Sequence, residues 1–190
     1  MKKIAVTNRH LCMTDKQQFY KDTDLLLKKL ETLVKEDYSY FILREKDLDE
    51  DAYFDLAQKA LDICGDKLIL HTYYAVAIQL SCPNIHLPYD LFCSLDSQIL
   101  SQFQRIGVSI HSPEEARIVE QRGATYVTAG HVFDTDCKKG LPGRGLDWLT
   151  SVTSSVSIAV YAIGGITEQN KDLCMEHGAC GICVMSAAMH

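Results

Sequence analysis

Nowhere in this 190-residue chain does an apolar run approach the roughly 20 residues that a membrane span needs. The amino terminus opens Met-Lys-Lys like a secretory leader, but its apolar run stops after Val6 and Arg9 follows closely. Cytoplasmic residence without membrane contact is the expectation. A basic excess is missing as well: 19 Lys and Arg face 25 Asp and Glu, for a net charge of −6. With no DNA-reading motif either, nucleic acid is not an expected partner. A second Cys-x-x-Cys is also absent. Cys180 and Cys183 form one, but inside the apolar run 179–185, where residues three apart on a strand point to opposite faces. The other cysteines (Cys12, Cys64, Cys82, Cys93, Cys137, Cys174) are scattered, which favours reduced, mostly buried thiols over a disulfide frame or a zinc site. Cys137 is the exception, because the neighbouring Lys138 favours its thiolate.

What is present is ordinary for a globular protein: 47% hydrophobic and 23% charged residues, enough for one domain over 1–190 with a full core. Short β-branched runs alternate with longer segments of helical period. The runs are Ile4–Thr7, Tyr40–Leu43, Leu68–Leu70, Asn84–Leu87, Gly107–Ile110, Ala124–Ala129, Ala159–Ile163 and Gly181–Met185. Between them, Phe19, Leu26, Leu27, Leu30, Leu33 and Val34 mark a first helix. Tyr53, Leu56, Ala57, Ala60, Leu61 and Cys64 form a second stripe, with Asp49, Glu50 and Asp51 at its positive end. Ser112-Pro113-Glu114-Glu115 is a capping box with proline at the first helical position, Gly123 fits as that helix's terminator, and Thr167 is a candidate cap for a helix ending at Gly178.

Eight strand–helix units predict an α/β fold, a compact (β/α)8 TIM barrel, with an open doubly wound sheet as the alternative. Only 186–190 follow the eighth strand, so the final helix is truncated. The apolar face it leaves over strands eight and one predicts a homodimer.

In such barrels the site gathers at the carboxyl ends of the strands. That rule selects Arg44, Glu45 and Lys46, then His71, His86 with Asp90, His111, His131, the pair Gly164-Gly165, and Ser186. Gly-Gly after the seventh strand, with a short segment opening at Ser186, fits a phosphate site built from backbone N–H groups. Arg44 suits a bidentate grip on a carboxylate or phosphate. The histidines come from separate loops with no ligand spacing, so no metal site is assigned to them. His131 opens a cationic loop with three glycines (140, 143 and 145) and has the imidazole chemistry to take and return a proton.

Several stretches resemble the thiamine phosphate synthase superfamily: Phe41-Ile42-Leu43-Arg44-Glu45-Lys46, the segment 106–116, Tyr161-Ala162-Ile163-Gly164-Gly165-Ile166, and 178–186. Within it, Gly130-His131-Val132-Phe133-Asp134-Thr135-Asp136-Cys137-Lys138-Lys139-Gly140 is similar to the TenI-type thiazole tautomerases. That resemblance implies isomerisation of a dihydrothiazole carboxylate phosphate to its aromatic form by proton transfer at His131. It implies a phosphate held by Gly164, Gly165, Met185 and Ser186, and a carboxylate neutralised by Arg44, Lys46 or Lys138. The loop 137–145 would close over the ligand, and no cofactor is required. The alternatives are a synthase, coupling a pyrimidine diphosphate to thiazole phosphate with magnesium, and a non-catalytic thiazole-phosphate binder. Synthases hold magnesium pyrophosphate through an Asn-Asp pair after strand three and a Gly-Gln-x-Asp after strand four. Here those stretches read His71-Thr72 and Pro88-Tyr89-Asp90, one carboxylate short.

Overall fold

The computed structural model describes residues 1–12, 21–135, 138 and 140–190. Phe19 and Cys137, named above, lie outside the described residues. All eight anticipated strands are present: β1 (Lys2–Val6), β2 (Tyr40–Leu43), β3 (Leu68–His71), β4 (Asn84–Pro88), β5 (Arg105–Ile110), β6 (Tyr126–Gly130), β7 (Ala159–Ile163) and β8 (Gly181–Val184). Each pairs in parallel with the next, and β8 returns to β1 through Ile4 opposite Cys183, closing the barrel and excluding the open sheet.

Alternation along the strands divides the apolar residues into two layers. Ile4, Val6, Ile42, Ile69, Tyr126, Tyr161 and Cys183 fill the barrel interior, while Ala5, Phe41, Leu43, Ile182 and Val184 face the covering helices. The Cys-x-x-Cys splits as its spacing requires: Cys183 is buried inside and Cys180 is exposed. The described cysteines are all free thiols.

The helices are α1 (Asp22–Leu33), α2 (Glu50–Cys64), α3 (Tyr74–Gln79), α4 (Tyr89–Ser94), α5 (Ser97–Leu100), α6 (Pro113–Gln121), α7 (Leu146–Thr153), α8 (Lys171–Glu176) and α9 (Ser186–Met189). Asp49 caps α2 by accepting from the Ala52 N–H at 2.8 Å. Ser112 caps α6 through the Glu115 N–H at 3.1 Å, but Glu115 returns to the N–H of His111 at 2.6 Å rather than to that of Ser112, so the box closes one residue early. The helix expected at Thr167 begins later, at Lys171, because Asn170 turns back to accept the Thr167 N–H at 2.8 Å.

α9 is truncated as expected, yet the apolar face predicted beside it is not found among the described residues. Ala188 and Met189 are buried, and the Met189 Sδ lies 3.8 Å from the Cys12 Sγ, in the 3-10 turn Arg9–Cys12 beneath α1. Four residues suffice because the turn after β1 supplies the rest of the cover. The exposed large apolar side chains among the described residues (Met1, Ile78, Ile118, Leu141, Leu173) come from separate elements, and the structural argument for a dimer falls with the missing face. Among the described residues no helix is long and apolar enough to cross a membrane.

One tyrosine sets the rim. Tyr53 of α2 is fully buried, and its hydroxyl donates to the Leu43 carbonyl at 2.7 Å while accepting the His71 N–H at 2.9 Å. It therefore fixes the carboxyl ends of β2 and β3 together, where Arg44 and His71 emerge. Tyr53→Phe keeps the ring but orphans two buried backbone groups, and a loss of about 1–3 kcal/mol is expected. A urea-unfolding midpoint checks it; an unchanged midpoint would show that the hydroxyl does not tie the strands.

Candidate active site

A cavity of about 700 Å³ opens at the carboxyl ends of the strands. Its wall includes Arg44, Lys46, Lys138, His131, Gly164, Gly165, Met185 and Ser186, along with His71, Asp90 and His111. Glu45 and His86 do not reach it, and their side chains explain why.

Glu45 is 3% exposed and turned inward. Its carboxylate accepts from the Thr7 hydroxyl at 2.5 Å, the Arg9 N–H at 3.1 Å and the Arg9 guanidinium at 3.2 Å. Arg9 is buried too, and its guanidinium reaches Asp22 at 2.9 Å and Asp47 at 2.5 Å. Asp47 is held well below the usual carboxylate range by its hydrogen bond from Arg9, and Arg9 above its own by the same bond. Thr7 also accepts the Arg44 N–H at 2.9 Å, so the backbone leaving β2 is fixed at two successive residues. With Glu45 committed inward, Arg44 and Lys46 go to the cavity. The sequence motif reads as three charges in a row; the fold uses the middle one as a clamp and presents the outer two.

Arg44, Lys46 and Lys138 make no side-chain hydrogen bond or ion pair with the described residues. They act on one another instead. Desolvation, then the charges of Arg44 and Lys138, hold the Lys46 ammonium below its usual range. The carboxylates of the mouth lie elsewhere: Asp90 and Glu115 both raise the Tyr89 phenol after its desolvation and its hydrogen bond with Cys93, and Asp134 is occupied by the Gly143 N–H at 2.6 Å. The mouth is thus polarised, cationic on the β2 side and acidic toward β4 and β5.

The two-glycine turn needs its glycines. Gly164 and Gly165 have φ of +99° and +64°, a region side chains avoid. A Cβ on Gly164 would lie 2.3 Å from the His131 Cβ, and one on Gly165 would lie 2.3 Å from the Asp134 carbonyl. His131 therefore packs directly on the turn, and its Nε2 lies 3.2 Å from the Leu141 carbonyl oxygen. The loop beyond it is tied back, the Arg144 N–H donating to His131 O at 3.0 Å and the Gly145 N–H to Val132 O at 2.9 Å.

Below the mouth lies a polar layer inside the barrel. The His86 Nδ1 is 2.9 Å from the Tyr126 hydroxyl, and its Nε2 is 2.9 Å from Ser109 Oγ. Gly107 makes this possible, since a Cβ there would sit 2.0 Å from the Tyr126 ring. His71 stacks on His86 with centroids 5.6 Å apart, and its Nδ1 meets Thr72 Oγ1 at 2.6 Å. Burial first, then His86, Arg44 and Lys46, keep His71 well below its ordinary value; burial, then Arg44, push His86 down to about 3. Both rings are neutral at pH 7.

Barrels of this design bind phosphate esters at the loops after strands seven and eight, and comparison with known proteins narrows the class. The thiamine monophosphate synthase family model matches residues 6–188. A thiamine-phosphate synthase of Syntrophomonas wolfei is 34% identical over 86% of this chain and 81% of its own length. One from Clostridium acetobutylicum is 30% identical over 94% and 86%. The solved thiamine phosphate pyrophosphorylase of Pyrococcus furiosus shares the fold at TM-score 0.79 and 24% identity, covering 99% of this chain and 87% of that one. The chain belongs to the thiamine monophosphate synthase family. These relatives correct the tautomerase expectation: they are transferases, not isomerases, and the reaction assigned to His131 goes with it.

The magnesium set implied for a synthase does not fit this chain. After β3 stand a buried neutral imidazole and a hydroxyl that bond to each other. Asp90 is the counterpart after β4, Glu115 is engaged by the His111 N–H and Asp134 by that of Gly143. Among the described residues no three His, Cys, Asp or Glu side chains converge as a metal would require. Magnesium asks for carboxylate and water oxygens, which the His71 ring does not supply.

The buried rings carry a pH signature. Because His71 and His86 lie below the unfolded value of about 6.5, the unfolded chain binds protons first as pH falls. Stability is complete above pH ~6.5 and declines toward the folded value of His86, about 3, at about 1.4 kcal/mol per pH unit for each ring. Urea midpoints at pH 7 and pH 5 should separate in the native protein and separate less in His86→Gln. Equal separations would show that the ring is not buried neutral.

Proposed function

We propose that this protein couples a pyrimidine diphosphate to a thiazole phosphate and releases pyrophosphate. The observation that carries the proposal is the convergence, on one cavity wall, of a left-handed two-glycine turn and three cations without side-chain partners among the described residues. The names of the relatives support it. Gly164 and Gly165, with Met185 and Ser186 at the start of α9, hold the phosphate ester through backbone N–H groups. Arg44, Lys46 and Lys138 meet the charge of the diphosphate. The carbon–oxygen bond to the diphosphate breaks with its electron pair leaving on oxygen. The thiazole ring nitrogen supplies the pair for the new carbon–nitrogen bond, so pyrophosphate departs and the ring becomes cationic. Charge develops on the leaving oxygens, where fixed cations are most effective. No proton is transferred in that step. His131 has no acid–base task in it and serves by packing against Gly164, which keeps the phosphate turn in shape. The neutral His71 forms part of the floor.

Supplying the purified protein with both substrates and following pyrophosphate release, with and without magnesium, tests the reading. Turnover is expected, with kcat/KM lowered by about 10²-fold or more in Lys46→Met, as for loss of one fixed charge at a developing anion. Thiazole phosphate that binds without any release would overturn the coupling. It would leave a binding protein, the reading that the missing carboxylate after β3 favours.

A further inference from the structure

We propose that the mouth takes a diphosphate as the bare anion, its charge met by Arg44, Lys46 and Lys138 with no divalent cation bound beside it. The inference rests on the coupling reaction above for the identity of the anion, and on this chain's own departures for the rest. Three cations from the end of β2 and the loop after β6 share one cavity wall, and none has a partner among the described residues. Their mutual repulsion is felt at Lys46, on which the charges of Arg44 and Lys138 act. An anion placed among them relieves that repulsion, and the more charge it brings the better. A magnesium complex of the same diphosphate carries two fewer negative charges and would put a dication against the cations.

The positions where a metal would be held argue the same way. His71 and Thr72 satisfy each other, and His71 is kept neutral by burial and by the same arginine and lysine. Two carboxylates of the mouth are engaged by backbone N–H groups, Glu115 by His111 and Asp134 by Gly143, which leaves Asp90 among the described lining residues. One carboxylate and water give magnesium little to hold. Cationic side chains have thus taken the place of the ion.

Calorimetric titration of the chelator-treated protein with inorganic pyrophosphate, in EDTA and in excess magnesium, decides the point. Binding in EDTA is expected, unchanged or weakened when magnesium sequesters the ligand, and weakened by about tenfold or more in Lys46→Met, which removes a charge-assisted contact. Binding seen only with magnesium would overturn the proposal while leaving the coupling reaction intact. No binding in either condition would overturn both. Binding in EDTA that Lys46→Met leaves untouched would place the anion elsewhere and overturn the proposal alone.

Discussion

The inward turn of Glu45 is the constraint on which the mouth depends. A carboxylate buried without partners would cost several kcal/mol, and here it accepts from Thr7 and from both the backbone and the guanidinium of Arg9. Removing either partner leaves a buried charge uncompensated, so the turn after β1, the start of α1 and the end of β2 are held as a unit. Because strand-like backbone alternates its side chains, fixing Glu45 inward sends Arg44 and Lys46 outward to the cavity. Among the described residues, neither cation has a side-chain anchor of its own, and their placement follows from that of their neighbour.

A second consequence is electrostatic. The buried cluster spends its carboxylates on Arg9, so those of Glu45 and Asp47 are not available at the mouth. What remains there is a cationic wall facing an acidic one, above a floor of neutral imidazoles and hydroxyls. Such a field orients a ligand with an anionic end, and it disfavours a cation near β2. This charge arrangement is the basis of the proposed binding of an anion without a metal ion beside it.

Much of this was legible in the sequence. The eight strands were, because buried parallel strands read as short β-branched runs, and so was the rim, because strand order fixes which residues end there. Gly164 and Gly165 could be placed for the same reason. What could not be read were contacts across long separations: the grip of Thr7 and Arg9 on Glu45, and the Tyr53 hydroxyl between two strand ends. Tyr53 reads as one more apolar position in a helical stripe, since its ring behaves as one and only its oxygen is exceptional. His86 lies mid-strand, a position that reads as buried and hydrogen-bonded, and only its partners, Tyr126 and Ser109, had to come from the structure. The bare apolar face expected over β8 and β1 is covered because the 3-10 turn Arg9–Cys12 packs beside the four-residue α9, a long-range contact the sequence does not show. The loop motif pointed to an isomerase, a reminder that a local stretch carries less weight than likeness over the whole chain.

The most direct test of the cationic wall is the titration of Lys46 itself, followed by NMR of the side chain in lysine-labelled, metal-free protein with and without pyrophosphate. The expected result is an ammonium that titrates below an ordinary lysine in the free protein and moves upward when pyrophosphate fills the mouth. An ordinary value that pyrophosphate leaves unmoved would contradict the convergence of the three cations.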